Sequence, residues 1–166
     1  MQEPSTQKQE DKVIALSDHL ARRLYHDALD LAVRAKWVFW RERQINRAGG
    51  RRLTVVHDHA AIDRQAAYAT ETLRLSSRIM HVVAFAMNRR ALANGEIDEV
   101  EAMRPERRLG GASVCLADPV DDIAMLPPAV RDLWAESAAL YRRAQQLERM
   151  ATAAAAARAS ARAITS

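Results

Sequence analysis

Cysteine, glycine, proline and aromatic residues are all scarce in this chain of 166 residues. It contains one cysteine, five glycines and five prolines, and aromatic residues make up 5% of its composition. A single cysteine excludes a fold that depends on disulfide bonds and is typical of proteins in a reducing compartment. Few glycines and prolines, together with a hydrophobic content of 49%, predict an all-α protein.

Long apolar segments are also missing. The chain has no run of about 18 apolar residues, the length that a membrane-spanning helix needs. Its first dozen residues, MQEPSTQKQEDK, are polar and lack the apolar centre of a signal peptide. We therefore expect a cytoplasmic protein without a membrane span.

Three segments carry the three-four spacing of apolar residues that is typical of amphipathic helices. The first covers residues 13–46 and precedes a Gly-Gly pair, and the second covers residues 59–94 and ends at Asn94-Gly95. The third begins at Pro127-Pro128 and continues to Met150. Three helices with short to moderate connections predict an antiparallel three-helix bundle over residues 13–150.

Both ends of the chain lack an apolar stripe. Residues 1–12 are polar, and residues 151–166 read ATAAAAARASARAITS, a low-complexity sequence rich in alanine and arginine. Segments that cannot bury an apolar face tend to remain disordered. We therefore predict a disordered N-terminus and a disordered C-terminal tail.

A long acidic loop is predicted between the second and third helices. Residues 95–126 contain eight acidic residues and three arginines, so this segment carries −5 while the whole chain carries +4. Long loops inside compact domains often have a function. The basic remainder suits an acidic protein or a nucleic acid, and charge alone does not choose between them.

The second helix is apolar around about half of its circumference, more than the roughly 100° that a one-sided helix needs. The main stripe consists of Tyr68, Leu75, Ile79, Val82 and Ala86, and the stripe is widened by Leu73, Met80, Val83 and Met87. Such a helix is predicted to have at least two neighbours. Because the other two helices cover only part of this surface, we expect a homodimer.

A polar row on the same helix is a candidate partner-binding site. It consists of Arg74, Arg78, His81, Phe85 and Arg89. Arginine combined with an aromatic residue is favoured at protein interfaces. If the row is exposed, charge reversal at Arg74 and Arg78 should abolish partner binding and leave the fold intact. The alternative is an ordinary solvated edge whose arginine stems cover the core.

The first helix carries a second apolar stripe, formed by Leu29, Val33, Trp37 and Trp40. Exposed tryptophans are unusual unless something covers them, and tryptophan is a frequent interface anchor. We therefore predict a dimer or partner patch. One alternative is that the acidic loop folds back over it. Another is a membrane-surface role, given the neighbouring Arg34, Lys36, Arg41 and Arg43.

Residues that could carry chemistry are isolated. His57 and His59 are two positions apart, so they do not share a helix face, and no third metal ligand lies nearby. Cys115 has no histidine or second cysteine in its segment and is expected to be a passive thiol. No phosphate loop, nucleophile motif or core carboxylate pair is present. We therefore expect no enzyme activity, no cofactor and no small-molecule substrate.

Two of the helices carry a distinctive order of residues. In the second helix these residues are Ala67-Tyr68-Ala69, Glu71, residues 73–80 (LRLSSRIM), Arg90-Ala91 and Asn94-Gly95-Glu96-Ile97. In the third they are Leu126-Pro127, Leu133, Ser137, Leu140-Tyr141 and Arg143. With these residues the chain resembles the regulator of CtrA degradation (RcdA) family of small bacterial cell-cycle adaptors. The similarity is good over residues 65–100 and 126–149 and loose over 16–46.

The resemblance implies a dimeric three-helix bundle with a disordered C-terminal tail and no catalysis. Members of that family bridge cargo proteins to the ClpXP protease, together with a primed response regulator and a cyclic-di-GMP effector. The chain departs from the family pattern at residues 33–36, which are basic, and at Phe85, where a tryptophan is expected. These departures fit a paralogue with a different cargo.

Two functions from different classes follow from the sequence. The first is a non-enzymatic adaptor in regulated proteolysis. The alternative is a small basic helical DNA-binding regulator. The sequence favours the adaptor, because it has no helix-turn-helix spacing and its arginines are spread over all three helices.

Overall fold

The structure, a computed structural model, describes residues 4–48, 59–119 and 123–164. Its helices are α1 (Pro4–Ala48), α2 (His59–Ala93), α3 (Glu99–Ala102), α4 (Ala112–Cys115) and α5 (Pro128–Ile164). Two 3₁₀ turns cover Pro105–Arg107 and Ile123–Met125. The described residues contain no strand, so this part of the chain is all-α, as its composition predicted.

Both long terminal helices extend beyond the predicted bounds. α1 begins at Pro4, within the segment predicted to be disordered, and α5 continues through the predicted tail to Ile164. Alanine is the strongest helix former, so the tail can be helical without an apolar stripe. The tail also has contacts: Ala151 is buried, and Arg158 Nε donates to Glu99 Oε1 at 3.0 Å.

Each of the three long helices packs against the other two. α1 and α5 run in opposite directions, because Arg34 pairs with Glu136 while the earlier Asp27 pairs with the later Arg143 at 2.8 Å. α2 and α5 run in the same direction, since Trp134 contacts Glu71 and the later Ser137 contacts Arg78. The arrangement therefore differs from the predicted antiparallel order for this pair.

The course of residues 94–119 and 123–127, here called the connecting segment, explains this direction. The segment lies along α2 and runs back towards the start of that helix. Successive contacts join Arg107 to Asn88, Gly111 to His81, Cys115 to Arg78 and Asp118 to Arg74. It therefore brings the first turn of α5 beside the first half of α2.

The core lies where the three long helices and α4 meet. It contains Leu24 and Leu31 of α1, Leu75 and Val82 of α2, and Leu133, Leu140 and Tyr141 of α5. Cys115 of α4 is also part of this cluster and is only 1% exposed. Burial raises the pKa of its thiol, so the passive role predicted for this cysteine is consistent with its position.

A glycine turn brings the connecting segment close to α2. Gly111 has a φ of +77°, a left-handed conformation that side chains disfavour, and a Cβ there would lie 2.3 Å from His81 Nε2. The hydroxyl of Tyr141 donates to the Gly110 carbonyl oxygen at 2.7 Å. The turn is therefore held between α2 and α5.

Candidate protein-interaction surfaces

The polar row predicted as a partner-binding site is covered in the structure. Arg74, Arg78 and Phe85 are buried, with exposures of 7%, 2% and 3%, and His81 and Arg89 are half-buried. The prediction that this row forms an exposed strip is therefore wrong. The physical reason is that the connecting segment lies over this edge of α2.

Arg74 belongs to a buried ion pair. Its Nη1 donates to Glu71 Oε1 and Oε2 at 2.7 and 2.9 Å, and to the Asp118 carbonyl oxygen at 3.0 Å. Trp134 Nε1 of α5 donates to Glu71 Oε2 at 2.7 Å. A buried pair is tolerated only when its hydrogen-bonding groups are well supplied with partners, and this pair joins α2, α5 and the connecting segment.

Arg78 has a different set of partners. Its Nε donates to the Cys115 carbonyl oxygen at 2.8 Å, its Nη1 lies 3.3 Å from Ser137 Oγ, and its guanidinium lies 4.6 Å from the centre of the Trp134 ring. Burial, and secondarily the charge of Arg74, lowers the pKa of Arg78. We call Glu71, Arg74 and Arg78 the buried polar row; Arg74 and Arg78 bind the connecting segment, and Glu71 binds Arg74 and Trp134.

The remaining members of the predicted row also have structural positions. Phe85 is part of the core, and His81 packs against the Gly110-Gly111 turn. Burial, and secondarily Arg158, lowers the pKa of Arg89, while Glu99 opposes this shift. The sequence does not indicate this outcome, because Arg74 and Arg78 are covered by a segment whose course is not visible in it and whose backbone carbonyl oxygens they bind.

The opposite edge of α2 carries a mostly apolar stripe, here called the α2 stripe, in which six of the eight residues are exposed and Ser76 and Val83 are half-buried. Its members alternate four and three residues apart: Ile62, Ala66, Ala69, Leu73, Ser76, Met80, Val83 and Met87. Leu73 and Met80 are each 70% exposed, Ile62 is 59% exposed and Met87 is 54% exposed. Regular alternation of four and three is the heptad spacing of helices that pack along a shared seam.

From Ala66 to Met87, α2 exposes no charged residue beside the α2 stripe, whereas Asp63 and Arg64 next to Ile62 are exposed. From Gln65 to Asn88 the Asp, Glu, Lys and Arg residues are Glu71, Arg74 and Arg78, and all three are buried. These 24 residues correspond to about 36 Å of helix. Depletion of charged residues is typical of the core of a protein interface. Leu73, Met80, Val83 and Met87 were predicted to widen the apolar surface of this helix, whereas Ile62, Ala66, Ala69 and Ser76 were missed, although their regular spacing is a signal in the sequence.

The patch predicted on α1 is exposed. We call Leu29, Val33, Trp37 and Trp40 the α1 patch, and their exposures are 39%, 57%, 60% and 56%. The two indole rings pack edge to face, with centroids 6.1 Å apart and planes at 81°. The connecting segment follows α2 and leaves the patch open, so the alternative in which the acidic loop covers it is not observed.

Basic side chains flank the α1 patch. Lys36, Arg41 and Arg43 are exposed, and within the described residues none of them pairs with an acid. Arg34, in contrast, is bound to Glu136 of α5. This hydrogen bond raises the pKa of Arg34 and lowers the pKa of Glu136, so both side chains remain charged at neutral pH.

Two other predictions concern metals and membranes. His57 lies outside the described residues, and His59 is exposed at the start of α2. In the described part of the chain, no group of three or more His, Cys, Asp or Glu residues is arranged to hold a metal ion. No helix in that part is long and apolar enough to cross a membrane.

Comparison with known proteins places the chain in a family. No curated protein and no solved structure matches it. Residues 14–166, which include all of α2 to α5 and most of α1, match the family described as "Protein of unknown function (DUF1465)". Because the match covers most of the chain, the protein belongs to the DUF1465 family.

Proposed function

We propose that this protein is a non-enzymatic, homodimeric adaptor that brings cargo proteins to a ClpXP-type protease in the bacterial cytoplasm. The observation that carries the proposal is that the packed helices leave two apolar surfaces uncovered, the α2 stripe and the α1 patch. A protein that joins others needs more than one such surface. The resemblance to the RcdA family supplies the protease and the cell-cycle setting.

The dimer is proposed to form along the α2 stripe, with the three long helices of each chain arranged as a bundle. From Ala66 to Met87 this stripe suits an identical copy of itself, because α2 exposes no charge there that a dimer would bury without a partner. Ile62, Leu73, Met80 and Met87 of two chains supply eight partly exposed side chains. Their burial contributes on the order of 10 kcal/mol, which is comparable with the roughly 4–15 kcal/mol that association costs.

The residues that carry the resemblance to the RcdA family support the same proposal. Four residues that carry the resemblance to RcdA adaptors belong to the buried polar row or to its contacts, namely Glu71, Arg74, Arg78 and Ser137. The resemblance therefore includes the residues that hold the connecting segment in place. By the same resemblance, a primed response regulator and a cargo protein are the proposed partners.

Protein turnover in living cells tests the proposal. We expect a set of proteins to gain half-life when the chain is deleted, and the same set to gain half-life when ClpX is depleted. Removing both should add nothing to either single effect, because an adaptor and its protease act in one step. Half-lives can be measured by mass spectrometry after translation is stopped.

Two results would contradict the adaptor role. One is a set of stabilised proteins that does not overlap with the ClpX-dependent set. The other is tight binding of random duplex DNA at physiological salt in a gel-shift assay. The second result would favour the alternative of a small basic DNA-binding regulator, to which Lys36, Arg41 and Arg43 could contribute phosphate contacts.

A further inference from the structure

The α1 patch has the shape of a helix-binding stripe. Its members step by four, four and three residues from Leu29 to Trp40, so they form one line over about 16 Å of helix. A line of this kind fits a second helix that lies beside it and presents apolar residues at the same spacing. The edge-to-face contact between Trp37 and Trp40 orients both rings before any partner arrives.

The charges around the patch select the chemistry of the partner. At 3.6 residues per turn, Lys36 and Arg43 lie on one side of the stripe and Arg41 lies on the other. All three cations are exposed and are not paired within the described residues. Cations that flank an apolar seam favour a partner helix with acids at its flanking positions, as in coiled coils.

We infer that the α1 patch binds an acidic amphipathic helix of a partner protein. The inference deepens the proposed adaptor function and rests on it for the role of that partner. A membrane surface fits less well, because Asp30 lies exposed beside the patch and four side chains make a small apolar face. Nucleic acid also fits less well, because the centre of this surface is an apolar line and not a row of cations that could contact phosphates. In a dimer formed along the α2 stripe, two α1 patches would be available.

Three synthetic helices of about 20 residues provide the test. All carry leucine at four positions with the spacing of the patch, and their flanking positions hold glutamate, glutamine or lysine. We expect the glutamate peptide to bind at least about tenfold tighter than the glutamine peptide, and the lysine peptide to bind most weakly. Labelled-peptide anisotropy measures affinity, and a blue shift of tryptophan emission reports burial of the indoles.

Variants of the full chain assign the binding to the patch. Replacing Trp37 and Trp40 together by glutamine should lower the affinity for the glutamate peptide at least about tenfold. Lys36→Glu with Arg41→Glu should reverse the preference towards the lysine peptide. The matched controls are Val100→Gln and Arg149→Glu, at exposed positions on α3 and α5. They should change neither the affinity for the glutamate peptide nor the affinity for the lysine peptide.

Several outcomes would overturn the inference. The first is equal affinity for all three peptides, and the second is unchanged peptide affinity in the tryptophan variant. The third is a shift of tryptophan emission with phosphatidylglycerol vesicles but with none of the peptides. Conversion of the dimer to single chains by the tryptophan variant would mean that the patch is the dimer interface. If peptide binding fails while the turnover experiment succeeds, the adaptor role stands and its partner uses another surface.

Discussion

The two edges of α2 reverse the usual distribution of a surface helix. On one edge Glu71, Arg74 and Arg78 are buried, whereas on the other Leu73 and Met80 are each 70% exposed. The two edges occupy the same turns of one helix. The difference between them therefore depends on what covers each edge, and not on the hydropathy of the side chains.

The connecting segment covers the charged edge because it needs hydrogen-bond donors. It has little regular structure, so carbonyl groups such as those of Cys115 and Asp118 are not used within a long helix. Buried carbonyl groups require partners, and Arg78 and Arg74 provide them. The apolar edge offers no hydrogen-bond donors of this kind, and the connecting segment does not pack against it. A second chain is the proposed cover.

Charge reversal on the buried edge gives the largest effect that we expect. Arg74→Glu combined with Arg78→Glu would place two further carboxylates beside Glu71 and opposite backbone carbonyl oxygens. Breaking one buried pair costs about 3–5 kcal/mol, so the double variant should lose its cooperative fold. Far-UV circular dichroism during heating measures this loss.

The control is Arg142→Glu combined with Arg149→Glu, two exposed arginines of α5. Exposed substitutions usually change stability by no more than about 0.5 kcal/mol each. A native melting transition in the Arg74 and Arg78 double variant would show that the charged edge is open to solvent, and the contrast between the two edges would disappear.

A substitution on the exposed edge tests the other half of the comparison. Met80→Glu should leave the fold of each chain intact, because this side chain is 70% exposed. In a dimer formed along the α2 stripe it would bury an unpaired carboxylate from each chain, so we expect the dissociation constant to rise at least about 100-fold. Light scattering should give the mass of one 18.6 kDa chain for the variant and twice that mass for the natural protein.

Val100→Glu serves as the matched control, since Val100 is 77% exposed on α3 and lies outside the α2 stripe. It should keep the dimer. If the natural protein has the mass of one chain at micromolar concentration, or if Met80→Glu keeps the dimer mass, the α2 stripe is not the dimer interface.

The sequence predicted features that depend on periodicity within one helix. α2 was predicted over residues 59–94 and is observed as His59–Ala93, because Asn94-Gly95 ends it as expected. The exposure of Trp37 and Trp40 is also confirmed, since both lie opposite the residues of α1 that contact the core. The role of the α1 patch remains a prediction.

The sequence did not predict features that depend on the path of the connecting segment. Arg74 and Arg78 have the spacing of an exposed edge, and nothing in the residues of the segment shows that its carbonyl groups reach them. The direction of α5 relative to α2 depends on the same path. The helical tail was missed for another reason, because a missing apolar stripe was given more weight than the helix propensity of alanine.

The smallest effect that we expect concerns the glycine turn that keeps the connecting segment on the charged edge. Tyr141→Phe removes the hydrogen bond to the Gly110 carbonyl oxygen and should lower the free energy of unfolding by about 1–2 kcal/mol at pH 7. Burial, with contributions from Cys115 and Glu148, raises the pKa of Tyr141 to about 12. The folded protein therefore favours the neutral phenol, and this stabilisation is complete below about pH 10, the pKa of an unperturbed tyrosine.

As the pH rises from 10 towards 12, the unfolded chain loses the phenol proton before the folded chain does, and the natural protein loses this stabilisation. Urea unfolding at several pH values measures the free energy of unfolding of both proteins. The difference between the natural protein and Tyr141→Phe should become smaller over that range. Tyr25→Phe is the control, because the Tyr25 ring contacts the Arg90 guanidinium and would retain that contact as phenylalanine. A gap that is constant from pH 7 to 12 would mean that the Tyr141 hydroxyl is not held by the turn, and the charged edge of α2 would then lack this support.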